Sequence, residues 1–206
     1  MQRTLLLPML AMAMVVVASN ILVQFLLGDW LTWGALTYPL AFFVTDVTNR
    51  LHGPVAARRV VYAGFAVGLA CSLAGTQIEG SFGPLVSLRV AIASGAAFLV
   101  GQLLDITVFN RLRAMNGWLP PLASSLIGSA VDTIVFFSLA FAGSLAFLAP
   151  QVDVAWANVP VALLGQGPVL PLWVSLAVAD FSVKIALALV TLVPFRMIVA
   201  RRARVA

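Results

Sequence analysis

The sequence predicts an all-α, polytopic membrane protein: one transmembrane domain over residues 1–206 with six spanning helices. Three observations predict it. Of the 206 residues 62% are hydrophobic and only 9% charged, with a mean hydropathy of +1.07, against about 45–50% apolar and 25% charged in a soluble domain. The apolar residues gather into six runs, each long enough to cross roughly 30 Å of hydrocarbon at about 1.5 Å per residue. Within the runs they are continuous rather than alternating, which argues against barrel strands of about 9–11 residues.

The first run is Thr4–Leu27. Arg3 followed by Leu5–Ala18, with small residues at Val17-Ala18-Ser19, has the outline of a secretory signal. The apolar stretch continues through Ile21–Leu27, however, so a retained helix is expected. Asn20 and Gln24 are four apart and would share its face, serving either ligand contact or interhelical hydrogen bonding.

The second run is Leu31–Thr48, with Pro39 inside it as the place for a kink or opening. Its inner end sets Asp46 and Arg50 at i and i+4, which permits an ion pair near the interface with Arg50 snorkelling. The third run, Arg59–Gly75, carries Gly64-Phe65-Ala66-Val67-Gly68, a small-residue packing stripe that could serve a homodimer.

The fourth run is Leu88–Leu112. Gln102 and Asp105 are three apart and line one stripe with Phe98 and Phe109. An amide beside a carboxylate, flanked by aromatic rings, suits a flat heteroaromatic ligand, although phenylalanines alone are ordinary packing residues. The fifth run, Leu119–Leu148, exceeds the need, so tilting or outward projection is expected. Its Ser125, Gly128, Ser129 and Asp132 form a small polar face that fits against a neighbouring helix. The sixth run, Pro171–Val199, places Asp180 and Lys184, the chain's only lysine, at i and i+4. They form either a neutralising internal pair or a switchable one. The Pro- and Gly-rich loop from Ala149 to Pro171, with the short apolar piece Val154–Leu164, reads as an interfacial or re-entrant cover.

Charge sets the expected orientation. With the N-terminus inside, Arg3, Arg50, Arg58, Arg59, Arg111, Arg113, Arg196, Arg201, Arg202 and Arg204 all fall inside, ten of the twelve basic residues. Asp29, Glu79 and Asp153 fall outside, with Arg89 near the outer end of the fourth run. The positive-inside rule therefore places both termini in the cytoplasm. The net charge of +5 is a topology signal and a contact with anionic lipid, not a sign of nucleic-acid binding.

Several chemistries are excluded. Cys71 and His52 are each single, so neither a disulfide nor a metal site is expected. No phosphate-loop lysine exists, which rules out ATP hydrolysis within the chain, and no cofactor is implied. There is no Gly-x-Ser-x-Gly elbow and no filter repeat. Asp132 and Asp180 lack the glycine-flanked setting of an intramembrane aspartyl hydrolase, which stays a distant alternative. The informative residues are the four carboxylates inside apolar runs, Asp46, Asp105, Asp132 and Asp180. An ionisable group at membrane depth is a functional-site hypothesis by default.

Two blocks add a resemblance. Ser19-Asn20-Ile21-Leu22-Val23-Gln24, Trp33-Gly34, Thr45-Asp46, Arg50, Gly53 and Ala57-Arg58-Arg59 form the first. Arg89-Val90-Ala91, Gly101-Gln102-Leu103-Leu104-Asp105, Val108-Phe109-Asn110-Arg111-Leu112-Arg113, Asp132-Thr133 and Ala179-Asp180-Phe181 with Lys184 form the second. From about residue 15 to 196 the chain resembles the queuosine precursor transporters, grouped with vitamin uptake transporters. It departs from many relatives at Leu119-Pro120-Pro121.

The resemblance implies a non-enzymatic importer of 7-cyano-7-deazaguanine or 7-aminomethyl-7-deazaguanine in a bacterial inner membrane. It also implies a six-helix fold similar to the substrate-binding subunits of energy-coupling-factor transporters. The runner-up function is a binding subunit of a multi-component uptake system. A deazaguanine offers a ring N–H and an exocyclic amine side by side, two donors that one carboxylate accepts together. Asp132 and Asp105 are the first candidates for that edge, with Gln102, Asn20, Gln24 and Asp46 as further substrate contacts. Asp180, Lys184, Arg50 and Arg89 are the candidates for coupling or gating.

Overall fold

The computed structural model describes residues 2–80, 83–115 and 117–203, with the side chains of 5–202 among them. Arg204 and the Arg3 side chain, counted above among the inner basic groups, lie outside the described residues.

The chain is all-α apart from three two- to three-residue hairpins. Helix α1 is Gln2–Leu22, α2 Trp33–Thr37, α3 Leu40–His52, α4 Pro54–Gly75, α5 Leu88–Leu112, α6 Leu119–Phe141 and α7 Leu172–Ala203. Five of these, α1, α4, α5, α6 and α7, are long and apolar enough to cross a membrane. The second expected span is the broken pair α2–α3.

The break has a local cause. Pro39 has no N–H to donate to Ala35, and the chain passes through it on tight i→i−3 bonds, Ala41 N–H to Tyr38 O (2.9 Å) and Phe42 N–H to Pro39 O (3.1 Å). Tyr38 and Pro39 themselves keep right-handed helical dihedrals, so the direction bends and does not reverse. The interruption sits beside a cavity that Tyr38 lines, a setting in which membrane proteins tolerate irregular backbone.

Other boundaries differ from expectation at the loops. The first helix stops at Leu22 instead of Leu27, because Leu26–Leu27 pairs with Leu31–Thr32 around Gly28, which has φ +67°. Gln24 is thus in a turn and does not share a helical face with Asn20. The third helix begins earlier, at Pro54, where proline suits a first turn. The fifth ends at Phe141, as Ala142 turns extended. Beyond it the expected cover is made of 3-10 turns and the hairpin Pro160–Ala162 with Val169–Pro171. Trp156 packs edge-on against Phe141 at 5.5 Å, and the Asn158 amide donates to Phe141 O and Val154 O. Leu119-Pro120-Pro121 starts α6 with proline in its first turn.

α5 packs along α6 more extensively than any other pair, followed by α1 on α4. The α5–α6 approach depends on glycine: a Cβ on Gly101 would lie 2.8 Å from the Asp132 Cβ, and one on Gly128 would lie 2.9 Å from the Gly101 carbonyl oxygen. The Gly64–Gly68 stripe is used inside the chain, with Met12 and Phe98 over Gly64 and Val16 over Gly68. Met12, Val16, Ala41, Ala57, Val60, Val61, Phe98 and Ile106 form the apolar core between α1, α3, α4 and α5.

Arg89 has a clear structural task. It is buried, its Nε donates to Leu139 O (2.7 Å) and its Nη2 to Ala142 O (2.8 Å), so a cation closes the carbonyl end of α6. Hydrogen bonds to charged groups contribute about 1.5–3 kcal/mol each. Arg89→Gln should therefore lower the thermal unfolding midpoint of the detergent-purified protein. An unchanged midpoint would show that the clamp is dispensable.

Candidate functional site

A cavity of about 530 Å³ occupies the end of the bundle that carries Asp29, Trp30, Leu85 and Trp156. Its walls come from α1 (Ser19, Asn20), the following turn (Val23, Gln24), α4 (Gly64, Phe65, Gly68), α5 (Ser94, Gly95, Phe98) and α6 (Phe136, Phe137, Phe141). Small residues on α4 and α5 leave the space, and aromatic rings face it. Its floor is polar: Tyr38, Asp132, Asp180 and Lys184. The volume falls within the ~300–1,000 Å³ of small-molecule sites.

The floor is one connected network. The Tyr38 hydroxyl donates to Asp132 Oδ1 at 2.7 Å. The Lys184 ammonium donates to Asp132 Oδ2 at 2.7 Å and to Thr133 Oγ1 at 2.8 Å, and stands 2.6 Å from Asp180 Oδ2. The Thr133 hydroxyl donates to the same Asp180 oxygen at 3.0 Å. Lys184 also lies 5.3 Å from the centre of the Tyr38 ring, a cation–π contact. The helical i,i+4 spacing holds Lys184 to Asp180, and Asp132 joins them across the α6–α7 interface. Two carboxylates thus share one ammonium, buried at 3% exposure.

Asp132 still has acceptor capacity. A carboxylate offers about four lone-pair directions, and Tyr38 and Lys184 take one on each oxygen. Asn20 also lines the cavity and donates its amide to Val16 O at 2.9 Å, which leaves its side-chain oxygen as an acceptor. Gln24 lines the mouth.

The other expected contacts lie elsewhere. Gln102, Asp105 and Asp46 do not line the cavity; they form a second, buried polar layer. Gln102 is fully buried and its Oε1 accepts the Thr45 hydroxyl at 2.5 Å. Asp46 accepts from Ser124 (3.1 Å) and Ser125 (2.8 Å). Asp105 has no exposure. The envisaged Phe98–Phe109 stack is also divided: Phe98 faces the cavity, whereas Phe109 is buried against Phe195 and the Arg113 guanidinium.

Arg50 does not pair with Asp46. It is exposed and its Nη1 donates to Arg113 O at 3.4 Å, because the turn of α3 that carries Asp46 faces the serines of α6. Arg113 in turn donates to the Asn49 carbonyl and side-chain oxygens, both at 2.6 Å, closing that end of the bundle. Among the described residues Arg89 hydrogen-bonds only to the Leu139 and Ala142 carbonyls.

Residue spacing did not identify Tyr38 or Thr133 as parts of the floor. The signal available for Tyr38 was its position before Pro39, where the helix is bent into the cavity. Trp30 and Trp156 lie in loops, where no periodicity marks them.

Comparison with known proteins places the chain in a family. A family described as "Putative vitamin uptake transporter" matches residues 32–199. The chain is 34% identical over 195 residues to the "Queuosine precursor transporter" of Escherichia coli (strain K12), covering 88% of this chain and 79% of that protein. It is 43% identical over 121 residues to the "Probable queuosine precursor transporter" of Haemophilus influenzae, covering 53% and 52% of the two chains. A similarly named protein of Bacillus subtilis is 32% identical over 138 residues, covering 57% and 59%. No solved structure matches.

Proposed function

This chain belongs to the vitamin uptake transporter family, and from that premise we propose that it imports a queuosine precursor. The solute is a 7-deazaguanine carrying a cyano or aminomethyl group, and the membrane is the bacterial inner membrane, with both termini cytoplasmic. The observation that carries the reading is the polar floor of the cavity: a buried carboxylate, Asp132, with spare acceptor sites beneath aromatic walls.

The chemistry fits a guanine-like edge. Its adjacent N–H donors bond to Asp132 as a pair, a charge-assisted and directional arrangement. The Asn20 carbonyl offers a further acceptor, and Phe98, Phe136 and Phe137 offer stacking area. Asp180 stands 16% exposed at the cavity. The floor holds one more carboxylate than ammonium, so an aminomethyl cation meets a counter-charge there. In this reading the cavity faces outward, since it lies at the end opposite Arg50, Arg58, Arg111 and Arg113.

Complementation tests the function. A precursor-dependent strain lacking this protein should lose queuosine from its tRNA and regain it on expression, with chromatography of tRNA nucleosides as the readout. Failure to restore queuosine from an expressed, membrane-inserted protein overturns the assignment. Uptake by the purified protein alone in sealed vesicles would reject the alternative of a subunit that needs an energising partner.

A further inference from the structure

Beneath the cavity floor, the carboxyl group of Asp105 on α5 stands against that of Asp46 on α3, with the Ser124 hydroxyl beside both. Asp46 is 3% exposed and Asp105 not at all. Ser124 and Ser125 donate to the two oxygens of Asp46, whereas among the described residues neither oxygen of Asp105 receives a hydrogen bond. One turn earlier on the same face of α5, the Gln102 Nε2 is likewise buried without a partner.

No cation among the described residues answers these groups. On α3, Arg50 is exposed and bonds to Arg113 O. On α5, Arg113 is held by Asn49 and Asn110, and Arg111 is exposed. On α6 the neighbours are Pro121, Ser124 and Ser125, while Asp132 two turns away is engaged by Tyr38 and Lys184. The α7 residues that line the same small void as Asp46 are Ala188, Thr191, Leu192 and Phe195, all uncharged, with Lys184 committed to Asp132 and Asp180 and Arg196 exposed.

Ionised carboxylates only accept hydrogen bonds. Two of them sealed together without a cation leave unpaired buried charge, which is strongly destabilising. One proton removes a charge and turns the contact into an O–H···O⁻ hydrogen bond, short and strong. We propose that Asp46 and Asp105 form a proton-binding site in the inner half of the bundle, holding one shared proton while that half is closed. Opening this half to water solvates both carboxylates and releases the proton, so closure of the inner half depends on proton uptake. Beside Asp46 and Ser125 is a void of about 10 Å³, at the lower limit for one water.

The inference is independent of which solute fills the cavity, and so is its test. Infrared spectra of the purified full chain at neutral pH should show the carbonyl stretch of a protonated carboxyl group. Asp105→Asn and, separately, Asp46→Asn should lose that band, and Asp132→Asn should keep it. In a Cys71→Ser, Ala188→Cys background, labelling from the inner face should rise with pH, and Asp105→Asn should make it low and pH-independent. Absence of the band in the unmodified protein overturns the proposal whether or not the variants fold, as does a band that survives in both Asp46→Asn and Asp105→Asn. Failure of the protein to restore tRNA queuosine would refute the transport assignment and leave the infrared result standing.

Discussion

Asp132→Asn should lower precursor uptake by about two orders of magnitude or more while leaving the protein folded. Tyr38 donates to one oxygen of the carboxylate and Lys184 to the other, and in the proposed site the acceptor capacity left on both serves the solute. An amide keeps one acceptor and replaces the other with an N–H₂ group. That group meets either the Lys184 ammonium or the donor edge of the solute, and both are donors themselves. Losing a hydrogen bond to a charged group forfeits about 1.5–3 kcal/mol, and two lost together correspond to a hundredfold or greater weakening. Lys184 would still be held by Asp180 at 2.6 Å, which is why the fold should survive. Radiolabelled precursor binding and initial uptake rates, with expression checked by immunoblot, give the readout. Wild-type uptake by Asp132→Asn would remove Asp132 from the site. Tyr38→Phe serves as the graded comparison, since it takes away one donor and leaves the carboxylate and its facing lone pairs intact.

The positions of the spans follow directly from hydropathy, because a run of about 20 apolar residues has few alternatives to a membrane helix. Helical spacing also placed Lys184 against Asp180, since residues four apart share a face whatever the rest of the fold does. What spacing alone leaves open is depth. Phe98, Gln102 and Asp105 lie on one stripe of α5, yet only Phe98 reaches the cavity, while Gln102 is bonded to Thr45 and Asp105 is fully buried beside Gly128. That division is set by how far α3 and α6 press onto α5. The press in turn depends on Gly101 and Gly128, whose missing side chains allow backbone contact. A tertiary distance of this kind has no periodic signature. The same holds for Arg89, whose partners are carbonyl groups fifty residues away, and for Tyr38, aimed at Asp132 by the local geometry of Pro39. The end of the first helix is hidden from hydropathy for a different reason. Val23–Leu27 is as apolar as the helix before it, and only the hairpin closed by Gly28 ends the run.

Lys184→Met is expected to have the greatest effect on stability, about 3–5 kcal/mol, the range for removing one partner of a buried ion pair. The ammonium is the single positive charge in contact with Asp132 and Asp180 among the described residues. Methionine matches its length and its apolar stem but leaves two carboxylates facing each other around Thr133. The double variant Lys184→Met/Asp132→Asn should recover part of the loss, because one of the two stranded charges is then gone. The triple variant that adds Asp180→Asn should recover more. A chemical-denaturation series in one detergent or bicelle system gives all four free energies. Non-additivity in that series is the signature of a shared network. Should Lys184→Met alone match the unmodified protein, the ammonium would be a bystander and the floor of the cavity would owe its geometry to Tyr38 and helix packing. Transport separates the remaining roles. In Lys184→Met/Asp180→Asn, which removes one stranded charge and keeps Asp132, stability regained without uptake would show that Lys184 does more than balance charge, since its N–H groups also hold Asp132 in place. If stability and uptake return together, charge balance is the whole of its contribution.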